Sequence, residues 1–166
     1  MGLVLTGDAV AIVTGGCRGI GREIARALAG RGFAVAVTYM RDPEEADGAV
    51  AEIVAAGGTA VAVRADVGDE LDVERLFDET AAAFGAVDVI VHGASRGAAV
   101  VNRQAVHRLR PGGAIVAVSS AEPIPPALAE QLRARDITVN GVAPGLEPPG
   151  AAHTVAELVA LLDPWR

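Results

Sequence analysis

A glycine-rich turn, Thr14-Gly15-Gly16-Cys17-Arg18-Gly19-Ile20-Gly21, joins a short apolar run to an amphipathic segment near the start of the chain. Glycines allow a tight turn and leave room for a ligand to approach the main chain. A helix that begins here would direct its free N–H groups and the positive end of its dipole at that ligand. Because the turn lies between a predicted strand and a predicted helix, it predicts a pyrophosphate site at the first βα turn of a dinucleotide-binding fold.

Short apolar runs alternate with longer amphipathic segments along the rest of the chain. The runs are rich in Val, Ile and Ala, which is typical of parallel strands that are buried on both faces. The alternation predicts a single α/β domain over residues 1–166, a three-layer, doubly wound Rossmann-like fold with strand order 3-2-1-4-5-6. The predicted strands are Ala9–Thr14, Ala34–Tyr39, Ala60–Arg64, Asp88–Val91, Ala114–Ser119 and Ile137–Val142.

Helix signals fill the intervals between the predicted strands. Asp69 is expected to cap the third helix, and the apolar residues expected to face the core from that helix are Leu71, Leu76 and Phe77. The interval between strands four and five has room for one helix. The spacing Thr154-x-x-Glu157 is typical of a capping box and predicts a last helix through Leu162.

Charge and composition exclude several classes of function. The net charge of −7 argues against a nucleic-acid partner, which would require a basic face. No apolar run approaches membrane-spanning length, and the first ten residues lack the pattern of a signal peptide, so a cytoplasmic protein is expected. The single cysteine excludes an internal disulfide framework, and no metal site is predicted.

Four ordered motifs make the chain resemble the short-chain dehydrogenase/reductase family, and within it the 3-oxoacyl reductases. The glycine-rich turn has the family's Thr-Gly-x-x-x-Gly-x-Gly spacing, and Ala65-Asp66-Val67 resembles its adenine-contacting segment. Ser119-Ser120 resembles the catalytic serine segment, and Val139–Gly145 resembles the strand-six and Pro-Gly signature. The resemblance implies a cofactor site formed by Thr14, Gly15, Cys17, Arg18, Gly19, Ile20, Gly21, Tyr39, Arg41, Asp66, Val67, Gly93, Ala94, Pro144 and Gly145.

The end of the second predicted strand bears on the choice of cofactor. A site for NAD places a carboxylate there, but the sequence reads Tyr39-Met40-Arg41. If Arg41 and Arg18 converge on one face, they favour the 2′-phosphate of NADP(H), because guanidinium binds phosphate through paired, charge-assisted hydrogen bonds. The alternative is that both arginines are ordinary solvated charges. Cys17 is expected to be a small filler, although a helix N-terminus could make its thiol reactive.

The second half of the chain departs from the family pattern. The family works through a Tyr-x-x-x-Lys pair, but this sequence contains no lysine, and its only tyrosine is Tyr39. His92-Gly93-Ala94-Ser95 replaces the family's Asn-Asn-Ala-Gly, and the pyrophosphate-contacting threonine expected after Pro144-Gly145 is absent. Binding of NADP(H) is therefore expected to be weak. Asn102 lies too close to strand five to match the family's catalytic asparagine.

Two catalytic candidates remain, Ser120, in the position of the family's serine, and His92 at the end of strand four. The pKa range of histidine suits proton transfer, but a lone histidine at a strand end also serves as a structural hydrogen-bonding residue. Ser120 alone, with a pKa far above neutrality, would not replace the tyrosine.

Three hypotheses for the function stay open. In the first, the chain keeps an NADP-type binding core without hydride transfer and acts as a binding, regulatory or partner subunit. In the second, it is a cofactor-independent isomerase, dehydratase or cyclase. In the third, it is an NADPH-dependent ketoreductase whose Tyr-Lys pair comes from a partner chain. Because the segments between strands four and six are short for the family and would leave apolar surface bare, a homodimer or a pairing with a similar chain is expected.

Overall fold

A computed structural model describes residues 9–93, 96–118, 124–142 and Leu158. Its strands are β1 (Val10–Thr14), β2 (Ala34–Tyr39), β3 (Thr59–Arg64), β4 (Val87–His92), β5 (Leu109–Ala117) and β6 (Thr138–Gly141). They pair in parallel to form one sheet in the order β3-β2-β1-β4-β5-β6. The predicted fold class and strand order are confirmed.

The centre of the sheet is fully buried. Ile12 of β1 lies in register with Ala36 of β2 and Ile90 of β4, and every residue of β1 is buried. Because successive side chains of a strand point to opposite faces, Val13 and Ile12 belong to separate apolar clusters on the two sides of the sheet. The parallel arrangement brings the carboxyl ends of all strands to one edge, where sheets of this type bind ligands.

Helices cover both faces of the sheet. Those of the described ranges are α1 (Gly19–Gly30), α2 (Pro43–Ala55), α3 (Glu70–Phe84), α4 (Ala98–Arg108) and α5 (Pro126–Ala134). The first two pack on one cluster, and the other three pack on the other cluster. The Asp69 side chain accepts hydrogen bonds from the N–H groups of Leu71, at 2.9 Å, and Asp72, at 3.0 Å, which confirms the predicted cap of α3.

The predicted burial of Leu71 is wrong, because its side chain is 75% exposed. The buried face of α3 is formed by Val73, Leu76, Phe77 and Thr80. Leu71 precedes Val73 by two residues, which is about 200° around a helix, so it points away from the core. The cap at Asp69 fixes where the helix begins, and the helical period then decides which residues face inward.

Strand β5 begins five residues earlier than predicted. Leu109 pairs with Val87 and Ala114 pairs with Val89, so the register shifts and extra residues of β5 bulge between the two pairs. Gly112 within the bulge has a φ of +84°. The Pro111-Gly112-Gly113 sequence, which precedes the predicted strand, is therefore an irregularity inside the observed one.

Strand β6, at the edge of the sheet, is not buried on both faces as the sequence predicted. All four residues of β6 are exposed, so the prediction is wrong for this strand. Leu158, which was expected to lie in the last helix, is helical and fully buried in the cluster that α1 and α2 contact. Its capping box, Thr154 and Glu157, lies outside the described residues. Among the described helices, none is both long and apolar enough to cross a membrane.

The contrast between Leu71 and Leu76 gives a test of this packing. Leu76→Ala should lower the free energy of unfolding by about 2–5 kcal/mol, because its side chain is fully buried. Leu71→Ala, on the same helix, should change it by less than about 0.5 kcal/mol. Urea denaturation measures both values, and similar losses for the two variants would contradict the orientation of α3.

Candidate functional site

A cleft of about 870 Å³ lies at the carboxyl ends of the central strands and is within the usual size of small-molecule sites. It collects residues from the glycine-rich turn and from the segments that follow β2, β3 and β4. The lining residues are Gly15, Cys17, Arg18, Gly19, Ile20, Gly21, Thr38, Tyr39, Met40, Arg41, Asp42, Glu45, Ala65, Asp66, Val67, Gly93 and Arg96. The structure thus brings most of the predicted cofactor-binding residues together.

Some predicted site residues do not line the cleft. Thr14 is buried, and its carbonyl oxygen accepts a hydrogen bond from the N–H of Gly93 at 3.1 Å. His92 is also buried behind the cleft edge. The remaining predicted residues lie outside the described ranges: Ala94, Ser120, Pro144 and Gly145.

The turn before α1 depends on glycine at two close contacts. A Cβ at Gly21 would lie 2.4 Å from the carbonyl oxygen of Gly15, and a Cβ at Gly93 would lie 2.7 Å from that of Thr14. The backbones of the turn, α1 and β4 therefore touch directly. Gly19 adopts a φ of +57°, and a Cβ there would meet no described atom within 4 Å, so this part of the turn is open to a ligand.

The first turn of α1 has the features of an anion site. Arg18 is the N-cap residue, makes no side-chain cap, and no acidic residue follows in the first turn. In α2, by contrast, the Asp42 carboxylate accepts from the N–H groups of Glu44 and Glu45. The N–H of Gly15 is already engaged, since it donates to Thr38 Oγ1 at 2.9 Å, whereas the first N–H groups of α1 have no partner within the helix and can face a ligand.

Two arginines of the cleft, Arg18 and Arg41, are exposed to solvent. Neither forms an ion pair within the part of the chain that the structure describes. Arg22 outside the cleft, by contrast, pairs with Glu52 at 2.8 Å. The carboxylate of Asp42, which follows Arg41 in the sequence and also lines the cleft, is already engaged as the cap of α2. The two guanidinium groups are therefore available to an anionic ligand.

Cys17 has the properties of a buried filler. Its thiol is 3% exposed and donates to the carbonyl oxygen of Thr38 at 3.4 Å. Burial raises the pKa of the thiol to about 11, the Glu45 carboxylate adds to the rise, and Arg22 opposes it. A thiol with such a pKa is protonated at neutral pH and is a poor nucleophile.

His92 forms a hydrogen bond with Asn102, a pairing that the sequence pattern did not predict. His92 Nε2 lies 2.8 Å from Asn102 Oδ1, and both side chains are buried. Because an amide oxygen only accepts hydrogen bonds, Nε2 must carry the proton that it donates to Asn102. Burial lowers the pKa of His92, and the hydrogen bond with Asn102 acts in the opposite direction. The pair ties the end of β4 to α4, which favours the structural interpretation of His92.

No metal site emerges from the residues in the described ranges. No cluster of three or more His, Cys, Asp or Glu side chains there is placed to hold an ion.

The family model described as short chain dehydrogenase matches residues 9–112. The 3-oxoacyl-[acyl-carrier-protein] reductase of Synechocystis sp. is 46% identical over 85 residues, which is 51% of this chain and 34% of that protein. An uncharacterized oxidoreductase of Methylorubrum extorquens is 32% identical over an alignment of 187 positions. This alignment covers 87% of this chain and 75% of that protein. The chain therefore spans about a third of the first relative's length and three quarters of the second's.

A solved structure agrees with these relationships. A short chain dehydrogenase from Burkholderia cenocepacia, determined in complex with NADP, matches with a TM-score of 0.75 and 31% identity over 96% of this chain and 91% of that chain. The chain belongs to the short-chain dehydrogenase/reductase family, and its resemblance to the 3-oxoacyl reductases is confirmed.

The buried His92 should make stability depend on pH. Its pKa in the folded protein lies below the ordinary value of 6.5, so the unfolded chain takes up the proton first as pH falls. The free energy of unfolding should therefore decrease as pH falls below about 6.5, by at most about 1.4 kcal/mol per pH unit, and be constant above it. Urea denaturation of wild type and His92→Gln between about pH 5 and pH 7.5 measures this slope.

The exposed His107 provides the matched control for that measurement. His107→Gln should keep the wild-type slope, whereas His92→Gln should lose most of it. An unchanged slope in His92→Gln would show that His92 does not resist protonation in the folded protein.

Proposed function

We propose that this chain binds NADP(H) in the cleft but does not transfer hydride on its own, and that it acts as a binding, regulatory or partner subunit. One observation carries the proposal. These 166 residues include no lysine, and the only tyrosine, Tyr39, is at the end of β2. The resemblance to the family implies that a tyrosine beside a lysine should move the proton, near the serine that follows β5.

Tyr39 is too far from β5 to take that role. Strands β1 and β4 lie between β2 and β5, and adjacent strands are about 4.8 Å apart, so β2 and β5 are roughly 14 Å apart. That distance exceeds the length of a tyrosine side chain. Tyr39 instead lies opposite Arg64 of β3, on the other half of the sheet.

His92 is a poor substitute for the missing tyrosine. A general acid must come within hydrogen-bonding distance of the substrate atom that takes the proton. The proton of His92 on Nε2 is held by Asn102, the ring is 5% exposed, and its pKa is lowered by burial. These properties suit a neutral side chain that holds β4 against α4.

The binding half of the proposal rests on the glycine-rich turn. The open N–H groups at the start of α1 would hold the pyrophosphate, and Arg18 and Arg41 would hold the 2′-phosphate. A bound NADPH would supply a hydride to an acceptor. The NADP complex of the Burkholderia relative supports this choice of ligand.

The comparison with the Methylorubrum relative supports the loss of one or more internal segments from this chain. That alignment runs over 187 positions, more than the 166 residues of this sequence, so positions of the relative have no counterpart here. Among the described residues between β4 and β5, α4 is the one helix, which is consistent with a shortened segment in this region.

A reductase completed by a partner chain is the second candidate function. The observation that favours it is β6, which among the described residues is the outermost strand on its side of the sheet and is exposed at all four residues. A related chain that carries a Tyr-Lys pair would supply the missing proton donor if it covered this edge, whereas a second copy of this chain would cover the edge without supplying that pair.

Calorimetric titration should show that NADPH binds more tightly than NADH, by about tenfold to a hundredfold. The reason is that a charge-assisted hydrogen bond to the 2′-phosphate contributes about 1.5–3 kcal/mol. Arg41→Ala should remove the difference between the two nucleotides. Arg133→Ala is the control, because this exposed arginine lies in the last turn of α5, outside the cleft, and its removal should leave both affinities unchanged.

Two outcomes of the titration would contradict the assignment. Equal affinities of the wild-type protein for NADPH and NADH would contradict the role of Arg18 and Arg41. No binding of either nucleotide would contradict the proposed function and favour a cofactor-independent enzyme.

The purified chain should reduce 3-oxoacyl or simple ketone substrates at least about ten thousandfold more slowly than a family reductase with its Tyr-Lys pair. The expected loss combines the missing proton transfer with poorer orientation of the substrate. The absorbance of NADPH measures the rate, and the family reductase is the positive control. Turnover at the rate of the control by the chain alone would refute the proposal, whereas turnover that appears only with a second chain supports the partner-completed reductase.

A further inference from the structure

Two loops meet at one end of the cleft, the segment Asp66-Val67-Gly68 after β3 and the segment Arg96-Gly97 before α4. Gly97 has a φ of +91°, and a Cβ there would lie 2.6 Å from both Cγ2 and the carbonyl oxygen of Val67. The loops are therefore in backbone contact. Arg96 is held beside Asp66 by packing as well as by charge.

The carboxylate of Asp66 is fixed before any ligand binds. Its backbone N–H donates to Asp72 Oδ2 at 2.8 Å, and its Oδ1 accepts from the N–H of Gly68 at 2.9 Å. Its carbonyl oxygen accepts from the N–H of Asp69 at 3.0 Å. Oδ2 has no hydrogen-bond partner among the residues that the structure describes. A positioned acceptor atom is therefore present in the wall of the cleft.

Arg96 is the group in this part of the cleft that can move at low cost. Its Nη2 lies 3.8 Å from Asp66 Oδ1, and its side chain is 72% exposed. An exposed ion pair of this kind contributes only about 0–1 kcal/mol, so a ligand can displace it. The same Nη2 is 3.7 Å from the position of a Cβ on Gly68, so the guanidinium lies over a residue without a side chain.

The two groups together suit a flat ring that carries an amino group. A guanidinium is planar and weakly hydrated, and it stacks on aromatic rings. An ionised carboxylate only accepts hydrogen bonds, so it selects a donor on the edge of the ring. Adenine has such an amino group, whereas a 6-oxopurine would present an oxygen to the carboxylate.

We propose that Arg96 is an adenine-binding residue whose guanidinium stacks on the base, beside the carboxylate of Asp66, which the resemblance to the family already places against adenine. This inference rests on the proposed dinucleotide site and adds a residue to it. A role on the 2′-phosphate is disfavoured, because Asp66 already compensates the charge of Arg96, whereas Arg18 and Arg41 have no acidic partner in the described ranges.

The test is a set of calorimetric titrations of the wild-type protein, Arg96→Ala, Arg96→Lys and the control Arg133→Ala with NADP⁺ and NAD⁺. Arg96→Ala should weaken both nucleotides about tenfold and leave their ratio unchanged, because stacking does not sense the 2′-phosphate. Arg96→Lys keeps the positive charge but removes the planar guanidinium group that stacks on the base, so this variant should not bind with wild-type affinity. The control should bind as wild type does.

A second probe tests the recognition of the amino group. Deamino-NADP⁺, in which a 6-oxo group replaces the amino group of adenine, should bind the wild-type protein about tenfold more weakly than NADP⁺. Equal binding of the two would overturn the proposed pairing of Arg96 and Asp66 on adenine.

The possible failures of the two proposals are distinguishable. If the wild-type protein binds NADP⁺ and Arg96→Ala binds it equally well, the role of Arg96 is overturned while the dinucleotide site stands. If Arg96→Lys restores full affinity, or if Arg96→Ala changes the ratio of NADP⁺ to NAD⁺ binding, Arg96 acts on a phosphate and the stacking proposal is overturned. If the wild-type protein binds neither nucleotide, the dinucleotide site itself fails, and the adenine subsite fails with it.

Discussion

The cleft depends on backbone contacts that leave no space for a side chain. Gly21 lies against the carbonyl oxygen of Gly15, and Gly93 lies against that of Thr14. These contacts set α1 directly on the carboxyl ends of β1 and β4, so that the N–H groups at the start of the helix open at the edge of the sheet. Any side chain at either glycine would push the helix or β4 outward, and the anion site would lose its geometry.

The fold could be predicted because its signals are local. The apolar runs, the glycine-rich turn and the cap at Asp69 each lie within a few neighbouring residues, and together they determine the elements and their order. The error at Leu71 is a local one, because the cap at Asp69 already fixes which residues of α3 face inward, whereas the errors at β5 and β6 arose where pairing between distant strands decides. Leu71 is apolar, but the helix begins at a point that turns it outward, and the Pro-Gly-Gly segment bulges because β5 pairs with β4 on both sides of it. The exposure of β6 follows from its place at the edge of the sheet, which strand composition does not report.

The candidate site was predictable only in part, for the same reason. Residues that precede or follow a strand, such as Arg18, Arg41 and Asp66, could be placed at one edge from the strand order alone. The contacts of Asn102 with His92 and of Arg96 with Asp66 join residues of different elements, and no spacing in the sequence marks them. A polar residue on the apolar face of α4 was the one available signal for Asn102, since Val101, Ala105 and Val106 share its buried side.

The groups proposed for binding and the position expected for chemistry lie on different parts of the sheet. The open N–H groups and the arginines belong to the β1–α1 turn and the end of β2, whereas the family's proton donor would act beside β5. His92 ends β4, the strand next to β5. Its ring forms a buried hydrogen bond with Asn102 and therefore has a structural role. A chain can therefore lose the residues around β5 while the glycine-rich turn, which is fixed by contacts with β1 and β4, keeps its shape. Under the proposed function, this separation would explain how nucleotide binding persists in a chain without the tyrosine and lysine of its family.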